Sequence, residues 1–511
     1  MKTDNRHKRP GAPDEREAPA SRDDGSRPSN LRTDVPREHA HEAPVGKHGW
    51  RKRFVLALET REIVDLAWPI CAAMLGETVI GIVDTFLVAG LGKAAIGGVG
   101  LATIFMFLSY SFVYGLMRAV KIRTSHAVGE GRRDLSFSFL LSGVLLGLAA
   151  GVGVFIFGRD ASWLFALTRA DPAIVPYATD FLAAITWGAP ATCAFAALIQ
   201  HRQAMGDSRS PMIVQLAGNV FHGFLGYGLI YGRFGLPALG ARGAGFATSM
   251  TEVLLFLSLG ALAVRDGRRH FVPALARLRE ATWEVLQTGL PTGLQFAIEV
   301  FAFTAFTSIL GSIASTEIAA HQIALNVIRA SFLPGIAISE AACVLVGQSV
   351  GKGDPARVPR IARSALRLGM GFMAFCGVCF ALFGASIARA FTTDVDVLRV
   401  ATRLLYIAAA FQVLDAVSIV LRGVLRGAKD STFVAICGIS VALLTIPTFA
   451  YVLGKQMGMG AVGGWLGFIA ETTLNAAILY VRLRRTTFGG SAPRATTKHE
   501  PEREADTAKA A

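Results

Sequence analysis

Apolar runs of about 20 residues recur along the middle of this 511-residue chain, and a helix of that length crosses the hydrocarbon core of a bilayer. In lipid, each backbone polar group must be satisfied inside its own element. The runs therefore predict an all-α polytopic membrane protein of about 12 transmembrane helices, at 63–91, 95–120, 135–158, 177–200, 211–232, 243–264, 285–310, 317–346, 362–388, 398–422, 431–454 and 459–482. Only 17% of the residues are charged, too few for an ordinary soluble chain. Many of those charges gather in two tails, 1–60 and 484–511, whose mixed polar composition predicts disorder on the cytoplasmic side.

The remaining basic residues are unevenly placed. They cluster after even-numbered helices, as with Lys121, Arg123, Arg132 and Arg133 after the second and Arg265, Arg268, Arg269, Arg277 and Arg279 after the sixth. Connections after odd-numbered helices hold few, such as Lys93 and Arg159. Lys and Arg excess marks the cytoplasmic face, so both termini are expected there. The same distribution argues against nucleic acid as the partner of the net charge of +14. All six cysteines fall in apolar runs, where a thiol packs as a small hydrophobe, so Cys376-x-x-Cys379 predicts neither a redox nor a metal site.

The chain repeats itself. At an offset of 222, Leu66-Ala67-Trp68-Pro69 lies over Thr288-Gly289-Leu290-Pro291, Glu77 over Glu299, and Val128-Gly129-Glu130-Gly131 over Val350-Gly351-Lys352-Gly353. At 221, Gly206 lies over Gly427; at 219, Glu252 lies over Glu471. Six helices per half is an even number, so the halves are parallel repeats: lobes at 61–264 and 285–483, joined by a cytoplasmic linker at 265–284. Transporters rock such halves about a site between them. Pro69 and Pro291 read as equivalent helix starts.

Acids inside the spans carry the chemistry. A charge at bilayer depth costs on the order of 2.5–3.5 kcal/mol on insertion scales, so such residues mark ion or substrate paths. Glu77 and Asp84 lie two turns apart on one face of the first helix. Glu299 lies in the seventh helix and Asp415 in the tenth, with no span-depth lysine to neutralise either. Glu340 in the eighth helix, with its repeat mate Arg118, is a secondary candidate, as are Glu77 and His321. Each of these also has a structural explanation, such as a hydrogen bond to a hydroxyl or, for His321, helix packing. Glu252 and Glu471 are equivalent acids in the sixth and twelfth helices.

Several segments resemble a known family. Pro69…Val83-Asp84-Thr85…Gly90-Leu91-Gly92, Ala319-Ala320-His321-Gln322-Ile323-Ala324, Leu239-Gly240-Ala241-Arg242-Gly243-Ala244 and Leu425-Arg426-Gly427…Lys429-Asp430 are similar, in order and spacing, to multidrug and toxic compound extrusion (MATE) transporters. The similarity is to the NorM-like branch of the MOP flippase superfamily and covers roughly residues 60–485. It implies two six-helix lobes that export lipophilic organic cations by antiport with Na⁺ or H⁺, without a cofactor and as a monomer. It also implies cation-coupling roles for Glu299, Asp415 and Asp84, with Na⁺ at Glu299 and Asp415. One departure stands out: in the fifth helix His222 and Gly226 precede Ile230-Tyr231-Gly232, where the family often has two asparagines. A lipid-linked or polysaccharide flippase is the alternative. A membrane-embedded enzyme or receptor is remote, since no nucleophile elbow, zinc-ligand spacing or P-loop is present.

Overall fold

The computed structural model describes residues 46–160, 165 and 171–488. The chain divides into a short unit at 1–50 and a unit at 51–511 that carries every span. The expected tails lie largely outside the described residues.

Twelve helices are long and apolar enough to cross a membrane. The N-terminal six are α1 (Leu58–Ala89), α2 (Lys93–Gly129), α3 (Arg133–Gly158), α4 (Val175–Ala204), α5 (Arg209–Tyr231) and α6 (Ala241–Gly267). The C-terminal six are α7 (Leu278–Gly311), α8 (Ser315–Gly351), α9 (Pro355–Arg389), α10 (Val395–Gly427), α11 (Ser431–Gln456) and α12 (Gly460–Thr486). No strand occurs among the described residues.

Several helices outrun the expectation. α2 and α8 have 37 residues each, about 55 Å at 1.5 Å per residue, well beyond a 30 Å hydrocarbon core. Their ends stay helical because the charged residues there find partners across the molecule. Lys121 and Arg123, expected in a loop, are helical and paired with Glu340 and Glu284. Pro69 and Pro291 do not open helices; both lie inside one. Membrane helices tolerate such prolines because neighbours and hydroxyls re-satisfy the freed backbone.

The repeat is visible in backbone geometry. α2 ends with Gly131 at φ +74° and α8 with Gly353 at φ +73°. The hydrogen bonds match: Arg132 N donates to Ala127 O, and Asp354 N to Ser349 O. A left-handed residue after the last turn satisfies the terminal carbonyls of both helices. The turns closing α4 and α10 also match, but there Gly206 falls on Lys429, both with positive φ, and Asp207 on Asp430. That offset is 223, which corrects the alignment of Gly206 with Gly427.

The lobes meet at the end that carries the basic loops. Gly115, Gly129, Gly289, Gly293 and Gly351 bring α2 against α7 and α8, with backbone close to backbone. Small residues allow this approach where no hydrophobic force draws helices together in lipid. Thr292 donates to Gly115 O at 2.9 Å, and His126 Nε2 lies 2.7 Å from Gly427 O. Gln348 donates to Ala204 O at 2.9 Å. Toward the other end Phe107 meets Phe296 edge-on across the lobes. The start of α1 joins the opposite lobe's core, with Ile63, Leu66, Ala67 and Ile70 packed among residues of α8, α9 and α10.

Candidate functional site

Each lobe holds a polar cluster within its apolar helices. In the C-terminal lobe the centre is Arg422 of α10. Its Nη1 donates to Glu299 Oε1 at 3.0 Å and its Nη2 to Glu471 Oε1 at 2.8 Å. Three helices are thereby tied together: α7, α10 and α12. Gln295 Nε2 donates to Glu299 at 2.9 Å, Asn475 Nδ2 to Glu471 at 2.6 Å, and Arg426 Nη2 to Gln295 Oε1 at 3.0 Å. Gly438 of α11 lets its backbone close in, since a methyl there would stand 2.8 Å from Glu299 Oε1. Asp415 lies within electrostatic reach of Glu471 and Arg422 and shares no hydrogen bond with Glu299.

One expectation needs correcting. Glu299 is not an uncompensated acid: Arg422, an arginine of α10 and not a lysine, neutralises it. Glu471 is the second acid that shares Arg422. Among the described residues no three His, Cys, Asp or Glu side chains converge as they would on a metal ion.

In the N-terminal lobe Asp84 of α1 accepts from His222 of α5, with Nε2 and Oδ1 2.7 Å apart. The other ring nitrogen of His222 lies 3.4 Å from Thr251 Oγ1 of α6. The residue that marked a departure from the family thus serves as the partner of the first-helix aspartate. Glu252, next to Thr251, lies beside Thr192 of α4 and within electrostatic reach of Glu77 and His222; the Thr192 hydroxyl donates to Gly188 O at 3.1 Å. Glu252 Oε2 is fully buried and has no hydrogen-bond partner. Glu77 itself is exposed.

Glu340 belongs to neither cluster. Lys121 Nζ reaches its Oε2 at 2.6 Å and Arg118 Nε its Oε1 at 3.9 Å, so one acid of α8 clamps two cations of α2. Repeat mates Arg118 and Glu340 do touch, but Lys121, only 2% exposed, is the nearer partner. A second link at this end runs from Arg357 of α9 to Glu59, 3.0 Å away, and Glu62 of α1. His321 is buried in α8, where Trp465 Nε1 donates to its Nδ1 at 3.1 Å and Phe303 and Phe306 pack on the ring.

A family model described as MatE matches residues 69–228 and again 291–452, one copy in each lobe. The chain belongs to the MatE family. Relatives of similar length fit that membership. "Probable multidrug resistance protein NorM" of Xanthomonas campestris pv. campestris is 31% identical over 86% of this chain and 97% of its own. "Multidrug resistance protein MdtK" of Yersinia pseudotuberculosis is 28% identical over 84% and 95%. The same MatE fold recurs in solved structures. A multidrug resistance MATE family transporter in an outward-facing conformation aligns with TM-score 0.76 at 20% identity, covering 84% of this chain and 96% of that one. A MOP superfamily transporter from Pyrococcus furiosus aligns with TM-score 0.75 at 20% identity, covering 83% and 95%.

Proposed function

We propose that this MatE protein is a secondary active multidrug exporter, driven by antiport with Na⁺ or H⁺ through alternating access of its two lobes. The observation that carries this reading is the duplicated family match, one copy per lobe, laid over an acidic cluster within each lobe. Intramembrane acids in facing lobes attract lipophilic cations, since low-dielectric walls focus the field of fixed charges. Asp84, Glu299 and Asp415 are the proposed coupling acids. In the C-terminal lobe an incoming cation has to compete with Arg422 for Glu299. The multidrug names of the relatives and the acidic clusters favour this over a flippase for lipid-linked sugars. The protein is placed in the bacterial inner membrane as a monomer, with its termini and basic loops in the cytoplasm.

Inverted membrane vesicles test the reading. An ethidium-like cation should be moved on imposing a Na⁺ or H⁺ gradient, and an equally apolar anion should not. Asp84→Asn should sharply reduce the cation flux. Anion transport insensitive to Asp84 would replace this reading with the flippase.

A further inference from the structure

The two lobes treat equivalent acids differently. Glu77 and Glu252 are the repeat mates of Glu299 and Glu471. In the C-terminal lobe the pair holds a guanidinium, 3.0 Å from one acid and 2.8 Å from the other. The turn geometry sets the register between α4 and α10 at 223 residues, which lays Arg422 over Ile199 and Asp415 over Thr192. Isoleucine therefore stands where the C-terminal lobe has its cation. Thr192, in the place of Asp415, lies beside the acid of the last helix of its lobe, Glu252. The same frame of two carboxylates is thus built twice and filled once.

We propose that the Glu77–Glu252 pair is a proton site, and that Arg422 is the tethered cation that fills the C-terminal copy of the same site. Two observations point to a ligand. Glu252 Oε2 is fully buried with no hydrogen-bond partner, a costly state for a carboxylate oxygen at this depth unless a positive charge joins it. The C-terminal copy shows directly that the frame accepts one. The buried oxygen selects a proton over a larger cation, because it has no surface that a hydrated ion or an organic ammonium can reach. Exposed Glu77 lies within electrostatic reach of it. The other groups around Glu252 are His222, held by Asp84, then Thr192, Thr251, Tyr110, Tyr114 and Cys193. None of them is a lysine or arginine. The role in export rests on the antiport reading above; the site itself does not.

Dicyclohexylcarbodiimide, an apolar reagent that adds to protonated carboxyls, tests the site without drug or gradient. The purified full chain in detergent is treated across a pH series, and labelled carboxyls are mapped by peptide mass. Glu252 or Glu77 should label, fastest at low pH, with the rate falling toward about tenfold per pH unit once the pair has lost its proton. Glu299 and Glu471 should stay unlabelled in the wild type and gain label in Arg422→Leu. The label at the N-terminal pair should vanish in a Glu77→Gln, Glu252→Gln double variant that keeps the wild-type melting temperature. Equal labelling of Glu299 and Glu252 in the wild type, or no label on Glu252 and Glu77 at any pH, would overturn the proposal. So would protection of Glu252 by sodium but not choline at fixed pH, which would assign the site to Na⁺. Intact labelling with no drug flux would count against the export reading alone.

Discussion

At the scale of the residue, Arg422 governs the C-terminal lobe. It is held between two carboxylates, and all three groups are mostly buried. Removing one partner of such a pair typically costs about 3–5 kcal/mol, because the survivor keeps its desolvation penalty. Glu299→Gln should therefore lower the melting temperature in detergent as well as transport, whereas Asp415→Asn, which breaks no ion pair, should lower transport alone. Arg422→Met should also destabilise. Combining it with Glu299→Gln should cost less than the two single losses together, with a coupling of roughly 0.5–3 kcal/mol. Additive melting shifts would show that the ion pair contributes nothing. In the N-terminal lobe the part-buried polar contact is Asp84 with His222, 2.7 Å apart and in α1 and α5.

Among the helices, α2 and α8 meet across the lobes with backbone against backbone. Gly129 and Gly351 face each other there, and a Cβ on Gly129 would lie 2.9 Å from Gly351 Cα and closer still to Gln348 O. Overpacking such a contact costs about 1–3 kcal/mol unless the helices separate. Gly129→Leu should therefore loosen the closed end. Cys343 of α8 is a native reporter, being buried beside Lys121, Glu340 and Arg426. Its labelling by a maleimide should accelerate in Gly129→Leu, and again in Lys121→Met, which leaves Glu340 with Arg118 at 3.9 Å as its remaining ion-pair partner. Unchanged labelling in both variants would mean that this contact does not hold the lobes together.

For the whole molecule, the ion pairs and backbone contacts between lobes gather at the end bearing the basic loops, through Lys121–Glu340, Arg123–Glu284 and Arg357–Glu59. If Lys and Arg excess marks the cytoplasm, the lobes are shut toward the cytoplasm and part toward the outside. Reporters fused after Arg277 and after Arg484 should then read as cytoplasmic, and one inserted at Met457, between α11 and α12, as external. A reporter at Arg277 found outside would reverse the direction of transport inferred for the cycle. The basic loops are shorter than the sequence suggests, since Lys121, Arg202, Arg265, Arg357 and Arg426 all lie within helices. The asymmetry survives because these residues still occupy the same end.

Local chemistry was enough to read the twelve spans, the two-lobe repeat and the acids at depth. Apolar length, duplicated Gly-containing helix ends and a costly carboxylate are all properties of a short stretch of chain. The partners of those acids were not legible. Glu299 meets Arg422 across 123 residues, Asp84 meets His222 across 138, and Lys121 meets Glu340 across 219. Which residues meet depends on how each helix is rotated and how deep it sits. A helix that is apolar on nearly every face carries little amphipathic phase from which to read that rotation. The repeat could place Glu77 and Glu252 over Glu299 and Glu471, yet only the packed helices showed that one pair encloses an arginine. In the other pair Ile199 takes the arginine's place, and Glu252 Oε2 is left without a hydrogen-bond partner.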